Sequence, residues 1–320
     1  MDPDLSPLDE FVADHGVDGF LVDDDADNAD QYYLSGFHAP DPFVTLYDGD
    51  VHLLMQRTLE FGRAKREARA ASVASNVDYG YLDLKEETNP YEAHRRAIAR
   101  FLADHDVASV ATPPEFPLAT ADVLREQGIE VTPAQESPVE VCRGTKTDAE
   151  VDHIRAAQRA NERAMARAEE LIATAEVADD GTLLYDGDPL TSEFVRREIE
   201  IALLREDCTL SETIVAGGSQ AAEPHERGHG PLHTDEAVIV DIFPRHKENR
   251  YHADMTRTFC RGDPGDTLRE WYDLTLAAKE AAIEAVEPGV TGEAVHGAAC
   301  DVYEEAGYPT LRTDPSTETG

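Results

Sequence analysis

With 320 residues, 41% of them hydrophobic, the chain is long enough for two domains, each with a core of its own. Its 66 acids against 28 lysines and arginines leave a formal net charge of -38, which excludes nucleic acid as a partner, because phosphate neutralisation needs clustered bases. No apolar run approaches the ~18 residues of a membrane helix, and the N-terminus carries acids where a signal peptide carries bases, so the composition predicts a cytoplasmic protein.

Only five bases are lysines (Lys65, Lys85, Lys146, Lys247 and Lys279), and the acids are interleaved with apolar periodicity along the whole chain. Such a charge repels itself in dilute salt. Concentrated salt shortens the Debye length to ~3 Å at 1 M, so the balance points to a salt-rich cytoplasm. Cys142, Cys208, Cys260 and Cys300 are widely spaced, with no CxxC pair, and read as reduced, buried thiols.

In chain order, residues 8–15 predict a short helix and 19–22 a buried strand. Residues 43–47 and 51–54 predict a hairpin whose Asp48-Gly49 turn matches strand twist. Helical patterns cover 59–70 and 91–105, a strand 107–111, and a further helix 117–127, stopped by Gly128. These elements make an α/β domain over residues 1–138. It contains no phosphate-binding glycine loop and no nucleophile elbow.

Residues 133–138 read as a linker. Thr147 and Glu150 match a capping box. Val151, Ile154, Ala157, Met165, Ala168 and Ile172 then supply the apolar stripe of a long helix. A second helix begins near Thr191-Ser192 and carries Phe194, Ile199, Ile201 and Leu204. Strands follow, then helices at 266–286 and 291–306, the last closed by Gly307 and Pro309. The second domain, residues 139–320, is expected to be α+β, with helices segregated from antiparallel strands.

The most informative stretch places Asp241 in an apolar strand at 237–243 and Asp254 in a second strand at 251–259, with a polar loop between. A symmetric loop sets the two aspartates directly opposite one another, with Cβ atoms ~4.5–5.5 Å apart, where like charges repel. Two readings follow. Either the pair, withdrawn from bulk water, binds a divalent cation, or one aspartate is exposed while the other pairs with Arg250 or Arg257.

Asp254-Met-Thr256-Arg257-Thr258-Phe259, with Asp241 on the preceding strand, resembles the metal-binding hairpin of the pita-bread metallopeptidases. That family includes Xaa-Pro aminopeptidase, Xaa-Pro dipeptidase (prolidase) and methionine aminopeptidase. The segment from Ile214 through Glu223-Pro224-His225 is similar to the one whose histidine lines the family's substrate pocket. Glu287-Pro288-Gly289-Val290 resembles its helix-ending turn, and the segment from Cys142-Arg143 to Glu150 resembles the opening of the catalytic domain in the proline-specific branch. The first domain is similar to the creatinase/prolidase N-terminal domain by position and pattern.

The resemblance implies a creatinase-like α/β domain followed by an α+β pita-bread domain that is incomplete at its C-terminus. It implies a metallo-exopeptidase that cleaves a peptide bond next to proline and forms a homodimer. Two divalent ions (manganese first, cobalt or zinc as alternatives) would share two aspartates, one histidine and two glutamates. Asp254 would bridge the ions and Asp241 would hold one of them. Ions in such sites lie ~3.5–4 Å apart and activate a water, while His225 would hydrogen-bond the substrate or the developing tetrahedral intermediate.

Two departures stand out. The loop between the aspartates is slightly longer than the family pattern. The family's ligating histidine, in a Gly-His-Gly segment, and its two glutamates are not found after the last helices. The only histidine after Asp254 is His296, which reads as a core or helix-surface residue. The expectation is therefore a chain from a halophilic source, truncated at Gly320, lacking three of five ligands and poorly stable alone. His225, His229 and His233 are spaced four apart, but Gly228, Gly230 and Pro231 rule out a helix that would align them, and His246 and His252 read as exposed. Creatinase-like, metal-independent C–N hydrolysis and a non-catalytic binding protein on the same fold are the alternative functions.

Overall fold

The computed structural model describes residues 3–25 and 27–316 and divides into two compact units, Met1–Val151 and Asp152–Gly320. The chain end at Gly320, on which the truncation expectation rests, lies outside the described residues. Among the described residues no helix is long and apolar enough to cross a membrane.

The first unit runs α1 (Ser6–His15), β1 (Gly19–Asp24), α2 (Ala29–Ser35), β2 (Phe43–Tyr47), β3 (Val51–Met55), α3 (Phe61–Glu67), β4 (Ser72–Ser75), α4 (Tyr81–Glu87), α5 (Pro90–Asp104), β5 (Ser109–Thr112), α6 (Leu118–Glu126), β6 (Glu130–Pro133) and α7 (Pro138–Gly144). Its strands form one six-stranded sheet, ordered β4-β3-β2-β1-β5-β6. β2 runs antiparallel to β1 and β3, and the remaining pairs are parallel.

Successive strand residues face opposite sides, so the sheet divides its apolar residues between two cores. Phe20, Val22, Phe43 and Leu53 meet Leu8 of α1, Leu34 of α2 and Val139 of α7 on one face. Leu21, Val44, Leu46 and Leu54 meet Ile98, Phe101 and Leu102 of α5 and Leu124 of α6 on the other. α5 starts where Asn89 accepts hydrogen bonds from the N–H groups of Tyr91 and Glu92, with Pro90 at the first turn, where its missing N–H costs nothing. α3 is shorter than the pattern at 59–70 predicts. After it the chain turns extended at Ala68, and the Arg69 N–H donates to the Ser35 carbonyl. The expected domain boundary after residue 138 coincides with the start of α7, which Val139 and Cys142 tie into the first unit's core.

α8 (Asp148–Thr174) begins in the first unit and continues into the second. It is opened by the expected capping box, in which the Thr147 N–H and hydroxyl both donate to Glu150 Oε2 at 2.8 Å. The second unit then contains β7 (Glu176–Val177), β8 (Leu183–Tyr185), β9 (Asp188–Pro189), α9 (Ser192–Arg205), β10 (Cys208–Thr209), β11 (Ile214–Gly217), β12 (Val238–Ile242), β13 (Arg245–His246), β14 (Met255–Phe259), α10 (Gly265–Glu284) and α11 (Gly292–Glu305). Among the described residues its strand pairings are all antiparallel, as expected of the α+β class.

β11-β12-β14 form a three-stranded sheet. Val238, Val240 and Ile242 of β12 point into a core made with Leu171 and Ile172 of α8 and Ile199 and Leu203 of α9. The intervening Ile239 and Asp241 point to the opposite, open face. α10 and α11 pack on each other, leaving Trp271, Ile283 and Val286 exposed. All four cysteines are free thiols; Cys260 is half-buried and the other three are buried.

Candidate functional site

The open face of β11-β12-β14 carries the candidate site. Asp241 is flanked by Ile214 on β11 and Thr256 on β14. It therefore does not lie directly opposite Asp254, as a symmetric loop implied. The turn closes between His246 and Tyr251, with Arg250 in the left-handed region at φ 63, and an Arg245–His252 bridge continues the pairing. This centres the hairpin one residue further along, so Asp241 faces Thr256. Asp254 lies two positions before Thr256 and is the diagonal neighbour of Asp241 on the same face, still within reach of a shared ligand.

The pair is also less withdrawn from water than its apolar neighbours suggested. Asp241 is half-buried and Asp254 is exposed as a residue. Partial burial of the carboxyl, followed by the charge of Asp241, nevertheless holds Asp254 above the ordinary carboxylate value, and the Met255 N–H only partly offsets this. The charge of Asp241 beside the Asp254 carboxyl makes a donor set that a divalent cation would relieve. Asp241 is oriented by the Thr256 hydroxyl, which donates to Oδ1 at 2.8 Å. Arg257 donates to its neighbour's Thr256 carbonyl.

A cavity of about 260 Å³ opens beside Asp241, lined by Ile214, Ala216, Ala221, Glu223, Pro224, Ile239, Asp241 and Thr256. His225 follows Pro224 in an exposed turn and is not part of the wall. His229 is exposed, with its backbone N–H bound by Gln220, and His233 forms a bridge with Thr182, so the three evenly spaced histidines are not gathered. His296 lies on α11 against Cys300, its Nε2 3.3 Å from the sulfur, as a helix residue.

Among the described residues, the one group of three or more His, Cys, Asp or Glu side chains close enough to share an ion is Asp48, His52 and His105, in the first unit. The sequence reading passed over it. Asp48 and His52 sit four apart across a hairpin turn, a visible spacing, but nothing local links them to His105.

A model of the creatinase/prolidase N-terminal domain matches residues 5–144, and a model of metallopeptidase family M24 matches residues 152–317. An Xaa-Pro dipeptidase of Lactobacillus helveticus is 40% identical over 101 residues, which is 30% of this chain and 26% of that protein. An Xaa-Pro dipeptidase of Pyrococcus horikoshii is 22% identical over 311 residues, 96% of this chain and 78% of the relative. Among solved structures, an Xaa-Pro dipeptidase from Bacillus anthracis shares the fold with a TM-score of 0.76 at 19% identity, over 95% of this chain and 77% of that one. The alignment thus spans about a quarter of the Lactobacillus relative and over three quarters of the Pyrococcus one.

Proposed function

The chain belongs to metallopeptidase family M24, and on that premise we propose that it serves hydrolysis of a peptide bond next to proline, as an Xaa-Pro dipeptidase or aminopeptidase. The observation that carries this reading is the adjacent pair Asp241 and Asp254 on one sheet face, beside a cavity walled by Ile214, Ala216, Pro224 and Ile239. Apolar walls of this kind suit a rigid proline ring, whereas the carboxylates suit cations.

In this reading Asp254 and Asp241 would be the chain's own ligands to the ions, with manganese as the first choice and cobalt or zinc as alternatives. The resemblance assigns the other ligands to a histidine and two glutamates. Bound metal would supply an acidified water and a polarised carbonyl. The chain's own residues do the rest. Thr256 fixes the Asp241 carboxylate, and the 214–216 strand and Pro224 exclude water from one side of the substrate. His225, in its turn beside Pro224, donates to the substrate. The proposed setting is a salt-rich cytoplasm, with the enzyme acting as a homodimer.

The test, made on a form of the protein that also carries the histidine and the two glutamates, is turnover of an Xaa-Pro dipeptide with Mn²⁺ in roughly 1 M KCl, where surface repulsion is screened. Asp254→Asn and Asp241→Asn are each expected to abolish both Mn²⁺ binding and turnover. Unchanged turnover in Asp254→Asn would sink the reading, and insensitivity to a chelator would move it to metal-independent C–N hydrolysis.

A further inference from the structure

We propose that the first unit holds a single borderline divalent cation, of the zinc type, between Asp48, His52 and His105. The three side chains come from separate places in the fold. Asp48 lies in the β2–β3 turn, His52 on β3, and His105 caps the C-terminus of α5. They are largely enclosed, with side-chain exposures of 20%, 11% and 17%.

Their separations fit a common ligand. With metal–nitrogen and metal–oxygen bonds of ~2.0–2.2 Å, donors on a tetrahedral ion stand about 3.3 Å apart. His52 Nε2 is 3.0 Å from Asp48 Oδ1, and His105 Nδ1 is 3.8 Å from Asp48 Oδ2. The two imidazole rings lie 4.1 Å apart, centroid to centroid. All three donor atoms fall within 4.8 Å of one another. Three protein ligands and a fourth, solvent-filled position make a known zinc arrangement.

The supporting shell is also present. His52 Nδ1 is 2.8 Å from the Ser72 hydroxyl on β4, a partner that fixes ring orientation and frees Nε2 for a ligand. The Asp50 N–H donates to Asp48 Oδ1 at 3.3 Å and holds the turn carboxylate in place. His105 stacks edge-on against Phe101, buried in the core. The C-terminus of α5 presents carbonyl oxygens, whose partial negative charge favours a cation there. The ion would act as a staple joining the β2–β3 turn to the end of α5, and it needs no reacting group.

The experiment titrates the full chain carrying Asp241→Asn and Asp254→Asn, so that the pair on the second unit cannot contribute and failure here leaves the peptidase reading untouched. Co²⁺ is the probe, because its visible absorption in a four-coordinate nitrogen–oxygen site is far stronger than when it is spread over surface carboxylates in octahedral coordination. One equivalent of Co²⁺ should develop that band, and Zn²⁺ should displace it. His105→Gln should abolish the band, and Ser72→Ala should weaken binding about 10–100-fold. Zn²⁺ should also raise the thermal midpoint of the parent and not that of His105→Gln. Circular dichroism establishes that each variant is folded. Absence of a stoichiometric band in the parent, or an unchanged band in folded His105→Gln, overturns the proposal.

Discussion

The Thr256 hydroxyl donates to the Asp241 carboxylate from the position directly across the β12–β14 pairing, at 2.8 Å. This contact is local to the open face, and it fixes which way a half-buried carboxylate points. A threonine at this place in the Asp-x-Thr motif therefore serves the aspartate on the opposing strand.

Thr256→Val keeps the shape of the side chain and removes the donor. Outer hydrogen-bond partners of ligating groups are typically worth 10–100-fold in metal affinity. Mn²⁺ affinity is expected to fall by about that factor with the fold intact, as read by the electron-paramagnetic signal of free Mn²⁺. Equal affinity would reduce the contact to a packing detail.

Ile242 is fully buried beside Asp241 and points into the second unit's core. Ile242→Ala removes apolar contact and leaves a cavity, which costs about 2–5 kcal/mol. A lower urea midpoint with an unchanged slope is the expected result.

Asp18 Oδ2 accepts from the Ala108 N–H, the Ser109 N–H and the Ser109 hydroxyl, at 2.9, 2.8 and 2.9 Å. These bonds hold its carboxyl below the ordinary value of 3.8. A folded-state value below the unfolded one means the stabilisation is full above about 3.8 and is lost as pH falls through the depressed value. Asp18→Ala should lower the thermal midpoint at pH 7, with the gap to wild type closing below pH 3.8. A gap that persists undiminished in acid would assign the effect to packing.

A net charge of -38 should make stability strongly salt-dependent. The thermal midpoint is expected to rise steadily from about 0.1 M to 1 M KCl, as the Debye length falls from ~10 to ~3 Å. A midpoint that falls or stays flat would mean that the acidic surface is already compensated at low salt.

What the sequence made legible follows from where local chemistry dominates. The capping box at Thr147 and Glu150 and the Asp48-Gly49 turn are both decided within a few residues. β4 and β6 are four residues long and mostly half-buried or exposed, so they carry no clear alternation. Their pairing comes from the sheet beside them, a tertiary effect on strand formation. α2 was missed although Asn28 accepts from the Gln31 N–H, because a seven-residue helix offers too few turns for periodicity to show.

The site divides in the same way. The nearness of Asp241 and Asp254 across the hairpin was readable. Their register was not, because it depends on the left-handed backbone at Arg250 and on the bridge between Arg245 and His252. The Asp48, His52 and His105 cluster was invisible because its third member arrives on a different element, brought in by the packing of α5 on the sheet.

The inward-pointing alternation of Val238, Val240 and Ile242 bears on how freely the hairpin tip can vary. Sliding β14 along β12 by one residue would turn its side chains over, sending Thr256 and Asp254 toward the core and Met255 toward solvent. The apolar residues thus set the carboxylates' address, and the tip at 247–250 is tied down separately, the Lys247 N–H donating to the Asp207 carbonyl at 2.8 Å and the Asn249 amide lying 3.2 Å from His153 Nδ1. A change confined to the tip would cost those anchors while the strand alternation keeps the cation-facing positions where they are.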